Sequence, residues 1–92
     1  MKRIKIGVFY HDIVEKENVN IDGVSKYGTY DYINQVIEIR EGMTKDRKSQ
    51  TLLHEIIHVI DMDYSIELTE TQIECLATGL LQVLKENELC WN

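Results

Sequence analysis

Residues 36–61 read VIEIREGMTKDRKSQTLLHEIIHVID, and the hydrophobic period changes partway along them. Val36-Ile37-Glu38-Ile39-Arg40 reads as a strand, the second arm of a hairpin. Beyond Glu41-Gly42 the apolar residues recur at helical spacing, and Thr44 is placed to cap a helix running to near Asp63. Upstream, Gly28-Thr29-Tyr30-Asp31-Tyr32 alternates as the first arm of that hairpin, with Asn34-Gln35 as the turn. Farther back, Ile4, Ile6, Val8 and Tyr10 share one face and Arg3, Lys5 and Gly7 the other, the pattern of a half-buried strand. From Asp12 to Tyr27 the pattern dissolves into charge, Asn and Gly, so a loop with a short strand near Val19 and Ile21 is expected. Downstream, Thr69-Glu70-Thr71-Gln72 has capping-box spacing and opens a second helix that reaches about Glu86 and stops at Asn87. Strands before helices give an α+β fold: a small antiparallel sheet of about three strands, followed by two helices packed on one face.

The chain has 92 residues, enough for one small domain with a modest core, which a bound metal would help to hold. Its net charge of -6 argues against a nucleic-acid partner, which requires a clustered basic face. The basic residues are scattered, apart from a short cluster at Lys45, Arg47 and Lys48. The apolar run near the N-terminus ends at His11 and Asp12, too soon for a signal peptide or a membrane span. Cys75 and Cys90 would lie more than about 20 Å apart along a straight helix, too far to bridge. Free thiols suit a reducing interior, so a soluble cytoplasmic protein is expected.

His54-Glu55-Ile56-Ile57-His58 has the form H-E-x-x-H. Residues four apart lie one turn above each other on a helix, so two imidazoles can converge on one ion from one rigid element. A glutamate directly after the first histidine stands beside such an ion without ligating it, placed to take a proton from water activated there. In helical projection Leu52, Leu53, Ile56, Val59 and Ile60 spread over a broad apolar face. His54, His58 and Asp61 gather nearly opposite, with Glu55 between the two faces. A polar stripe on an otherwise apolar helix is where a cleft belongs, and the expected cofactor is zinc. A hydrolytic zinc site needs three protein ligands and an open position. Asp61 is too far along the helix to ligate easily and suits orienting His58 through its other ring nitrogen. The second helix carries a buried stripe of Ile73, Leu76, Ala77, Leu80 and Leu84, with Glu70 and Glu74 along its margin. An acid in the first turn is favoured by the helix dipole alone, which explains Glu70 better than Glu74. The order of candidates for the third ligand is Glu74, then Glu70, then Cys75.

The H-E-x-x-H helix, followed one connection later by Glu74-Cys75-Leu76-Ala77-Thr78-Gly79-Leu80-Leu81, resembles a compact glutamate-zincin. More specifically it is similar to the ImmA/IrrE-type peptidases and to short H-E-x-x-H proteins of bacteriophages and mobile elements. The hairpin from Gly28 to Arg40 sits where that family has its strands. Larger relatives close the glutamate helix with a Leu-Met-Pro-like stretch, where this chain has Leu81-Gln82-Val83 and no proline. The resemblance implies one minimal metallopeptidase domain, with His54, His58 and Glu74 as zinc ligands and Glu55 as general base. It also implies a peptide or protein substrate, cut with narrow regulatory specificity, while the charge and the short apolar run leave neither nucleic acid nor membrane as an expected partner. Zincins add a donor for the developing oxyanion, and Tyr27, Tyr30, Tyr32, Tyr64 and His11 are open as candidates. An edge strand of the hairpin would hold an extended peptide. The competing reading is a zinc-stabilised interaction module that turns over nothing. A closed structural site of that kind needs a fourth Cys or His ligand, which only His11, Cys75 or Cys90 supplies.

Overall fold

The computed structural model describes residues 2–89, so Cys90 lies outside the described residues. The fold is α+β, with strands first and two helices last. The sheet, however, has four strands in the order β1-β2-β6-β5 and is mixed, not antiparallel. β1 (Lys2–Ile6) and β2 (Phe9–Lys16) form a hairpin where the sequence suggests one strand. Its turn is Gly7-Val8, with Gly7 at φ 62°, the left-handed conformation that only glycine adopts freely. Alternation continues in phase through this turn, so Gly7 is the only local sign of it.

The second correction concerns residues 12–16, which read as loop and instead form the far half of β2. They pair in parallel with β6 (Val36–Arg40), Asp12 opposite Val36 and Lys16 opposite Arg40. Their charges face outward from the sheet. Arg3 pairs with Asp12 at 3.2 Å and Lys16 with Glu38 at 2.7 Å, while Ile13 turns into the core. A two-stranded ribbon follows, β3 (Asn20–Ile21) and β4 (Val24–Ser25), closed by Asp22-Gly23 with φ of 49° and 79°. This is the positive-φ pair that a tight hairpin turn demands, and fully buried Val19 anchors the ribbon's base. β5 (Gly28–Asp31) pairs antiparallel with β6 as expected. Asp31 builds their turn by accepting the Ile33 and Asn34 backbone N–H groups, both at 3.1 Å.

α1 (Lys45–Tyr64) is capped by Thr44. α2 (Glu70–Glu86) opens with the reciprocal capping box of Thr69 and Gln72. The buried residues of α1 alternate (Thr51, Leu53, Glu55, Ile57, Val59) because the helix is covered on more than one side. At about 100° per residue, four sectors follow around its axis. Leu52, Ile56, Val59 and Ile60 face the sheet and pack on Ile6, Ile13, Ile37 and Ile39. Leu53 and Ile57 face α2 and pack on Ile73 and Ala77. Thr51 and Glu55 turn toward β5, where Gly28 lies against both side chains. His54 and His58 occupy the remaining sector, between α2 and β5.

Among the described elements, helix α2 packs chiefly on α1, so its seam is narrow. Ile73 and Ala77 are buried, and Leu81 and Leu84 are partly buried against the same cluster. Leu76 and Leu80, expected in that stripe, are 46% and 45% exposed, since they lie off the seam with no second neighbour to cover them. No helix among the described residues is long and apolar enough to cross a membrane.

Candidate metal centre

The two helices run antiparallel, and the seam of α2 continues toward its N-terminus through Glu74 and Glu70, which come level with the histidine sector of α1. Glu70 Oε1 lies 3.1 Å from His54 Nε2 and 2.8 Å from His58 Nε2. The two imidazoles sit one turn apart, tilted by 53° with ring centroids 5.0 Å from each other. One ligand atom each from His54, His58 and Glu70 falls within a 4.8 Å span. Glu74, the first-ranked third ligand, meets the other edge of the His54 ring: its Oε1 is 2.9 Å from Nδ1 and accepts from Gln50 Nε2 at 2.6 Å. Cys75 is exposed on the cleft wall, outside the three-residue gathering.

The connection between the helices places Glu70. Ser65 ends α1 in the left-handed conformation, and the Asp61 carbonyl accepts from its N–H and from Ile66 N at 3.2 Å. The Asp61 carboxylate then accepts the Leu68 N–H at 3.0 Å. Asp61 therefore does not orient His58, as its place in the stripe suggests. It fastens the loop that delivers the first turn of α2.

Glu55 is only 6% exposed and takes no hydrogen bond from the described residues. Burial pushes its carboxyl above the usual glutamate range, against the opposing pull of His58 and His54. It borders a cleft of about 680 Å³ whose floor is the histidine sector of α1. Tyr27 to Tyr30 form one wall of that cleft, and Glu70 to Cys75 contribute to the other.

Of the expected oxyanion donors, Tyr27 and Tyr30 line this cleft and Tyr32, Tyr64 and His11 do not. His11 is buried behind Tyr30, with Nδ1 3.1 Å from the Phe9 carbonyl and Nε2 3.1 Å from the Tyr30 hydroxyl. A carbonyl only accepts, so the neutral ring carries its proton on Nδ1 and the Tyr30 O–H donates to Nε2. Burial, with smaller contributions from Asp63, Tyr32 and Asp31, raises the Tyr30 hydroxyl above the usual tyrosine range. Sequence reasoning missed Gln50 and the close approach of Gly28. The spacing of Gln50, one turn before His54, was the available signal for the first.

Comparison with known protein families, with curated proteins and with solved structures finds no match to this chain.

Proposed function

We propose that this chain is a zinc-dependent peptidase of the glutamate-zincin kind, in which His54, His58 and Glu70 hold the ion and Glu55 is the general base. One observation carries the reading: two imidazole Nε2 atoms and a carboxylate oxygen converge beside a buried, otherwise unbonded glutamate, at the floor of an open cleft. The donor set fits zinc, which takes three such ligands and keeps one position free in catalytic sites. When bound, zinc polarises a carbonyl and acidifies water.

Glu55 would take a proton from the water that attacks the carbonyl carbon and pass it to the amine as the C–N bond breaks; its raised affinity for a proton suits both halves of that transfer. Among the described residues no strand pairs with the outer edge of β5. An extended substrate adds to that edge, its backbone hydrogen-bonded along Gly28 to Tyr30 at the cleft wall. Tyr27 is the cleft hydroxyl available to the developing oxyanion, since Tyr30 gives its single O–H to His11. Specificity of a narrow, regulatory kind in a phage or mobile-element setting fits the resemblance, and the exposed Cys75 thiol fits a cytoplasmic one. A closed structural site is less well supported, because both ring nitrogens of His11 already have partners.

The test is metal content by elemental analysis of protein purified without added metal, joined to a peptidase screen. Wild type should carry about one zinc per chain, as one three-ligand site requires. His58→Ala and Glu70→Ala should lose it, and Glu55→Gln should keep it while losing cleavage. A wild-type protein free of tightly bound metal, or cleavage that survives Glu55→Gln, refutes the proposal.

A further inference from the structure

We infer that Gln50 and Glu74 form a positioning pair that fixes the His54 ring, holding its Nε2 lone pair toward His58 and Glu70. The inference rests on the metal-site reading above and assigns to Glu74 a role other than ligand.

Both ring nitrogens of His54 face carboxylate oxygens, which only accept: Nδ1 lies 2.9 Å from Glu74 Oε1 and Nε2 lies 3.1 Å from Glu70 Oε1. An ion held by Nε2 and Glu70 would leave the one ring proton on Nδ1, where Glu74 accepts it. A neutral imidazole has one N–H, so Nε2 then presents its lone pair. That is the nitrogen facing Glu70 and the other histidine. The same Glu74 oxygen accepts from the Gln50 amide at 2.6 Å. Gln50 stands one turn before His54 on α1, so a single helix supplies both the ring and the donor that steadies the ring's partner. Steadying matters, because the Glu74 side chain is 52% exposed and would otherwise sample several rotamers.

Two further observations support the pair. Glu74 begins the second turn of α2, beyond the first-turn positions where the helix dipole alone favours an acid. His58 has no counterpart, since its Nδ1 has no hydrogen-bond partner among the described residues. One histidine is therefore preset and the other keeps rotational freedom to complete the coordination. Fixing the ring tautomer and orientation in this way raises the basicity of the ligating nitrogen.

Two readouts on the full chain test this. The first is the hydrogen exchange of the His54 Nδ1–H in zinc-loaded, ¹⁵N-labelled protein, read by ¹H–¹⁵N correlation. Wild type should show a slowly exchanging Nδ1–H, and Glu74→Ala and Gln50→Leu should speed its exchange. The second is zinc affinity by competition with a chromophoric chelator. Glu74→Ala should weaken binding about 10- to 100-fold, the range for an outer carboxylate on a ligating histidine. Gln50→Leu should weaken it less. Glu74→Gln should recover most of the loss, because an amide oxygen accepts the same N–H, whereas Glu70→Ala should abolish tight binding. The pair is overturned if zinc-bound wild-type His54 carries its proton on Nε2, or if Glu74→Ala leaves both exchange and affinity unchanged. Loss of zinc in Glu74→Gln as complete as in Glu70→Ala overturns it too, and makes Glu74 a ligand. A wild type that binds no zinc refutes the peptidase reading and the pair with it, whereas a wild type that binds zinc with exchange and affinity untouched by Glu74→Ala refutes the pair alone.

Discussion

Gly28→Ala should destabilise the protein through a single side chain, and Thr51→Ser should relieve much of the damage. A Cβ at position 28 would stand 2.6 Å from Thr51 Cγ2, 3.2 Å from the Glu38 carbonyl oxygen and 3.4 Å from Glu55 Cγ. Ordinary carbon contacts lie at about 3.5–4.0 Å, so the methyl of Thr51 is overlapped by roughly 1 Å. Neither neighbour yields easily. Thr51 is 4% exposed on the most buried stretch of α1, and Glu38 sits in the β5–β6 ladder opposite Thr29. Overpacking of this kind costs about 1–3 kcal/mol, offset by roughly 0.4–1 kcal/mol because alanine restricts the unfolded chain. A net loss of about 1–2 kcal/mol lowers the melting temperature of a domain this size by roughly 4–16 °C. Thr51→Ser removes the overlapped carbon, so the alanine should cost about 1 kcal/mol less in that background, a coupling expected of residues in contact. Thermal and urea unfolding of the four metal-free proteins gives the cycle. Equal cost of Gly28→Ala in both backgrounds, or stabilisation in wild type, would refute the close approach of β5 to α1.

Glu55→Gln should stabilise the metal-free protein above the ordinary glutamate pKa of 4.5 and have little effect below it. The folded-state pKa is raised, so the stability tied to the protonated form is present at low pH and lost as pH rises through that value; parallel melting curves of the two proteins that never diverge would contradict the burial of Glu55. Asp61→Ala removes the acceptor of the part-buried Leu68 N–H and should cost about 1 kcal/mol. It should also weaken zinc binding although Asp61 touches no ligand, and unchanged chelator competition would show that the loop does not place Glu70. Thr69→Ala removes the hydroxyl that caps α2 and should cost about 1 kcal/mol in urea unfolding, whereas Thr69→Ser should cost a small fraction of that.

The helices were legible because their signals are local. Thr44 and the Thr69-Gln72 box act on backbone groups two or three residues away, and both caps form where the spacing puts them. The sheet was only partly legible. Its β5–β6 hairpin is a local pairing, but the β1–β2 turn is masked by alternation that never breaks phase. The far half of β2 reads as loop because its outward face is charged, and its partner, β6, is more than twenty residues away and parallel. Within the site, His54, Glu55 and His58 follow from one helix's geometry. Glu70 and Glu74 share one row of α2, so their ranking depends on how far the second helix slides along the first. That slide is set by Ser65 and by the Asp61–Leu68 bond, which no periodicity encodes.

The loop that Asp61 fastens also bears on the order in which the molecule assembles. Glu70 is only 12 residues from His58 and 16 from His54 along the chain, so the three donors meet by closing a short loop of low entropic cost. The β2–β6 pairing spans a longer loop, and contacts of that range form slowly. Low contact order at the donors and higher contact order in the sheet allow an ion to be captured by the helical hairpin first. The cleft wall at β5 would then close over a centre already loaded.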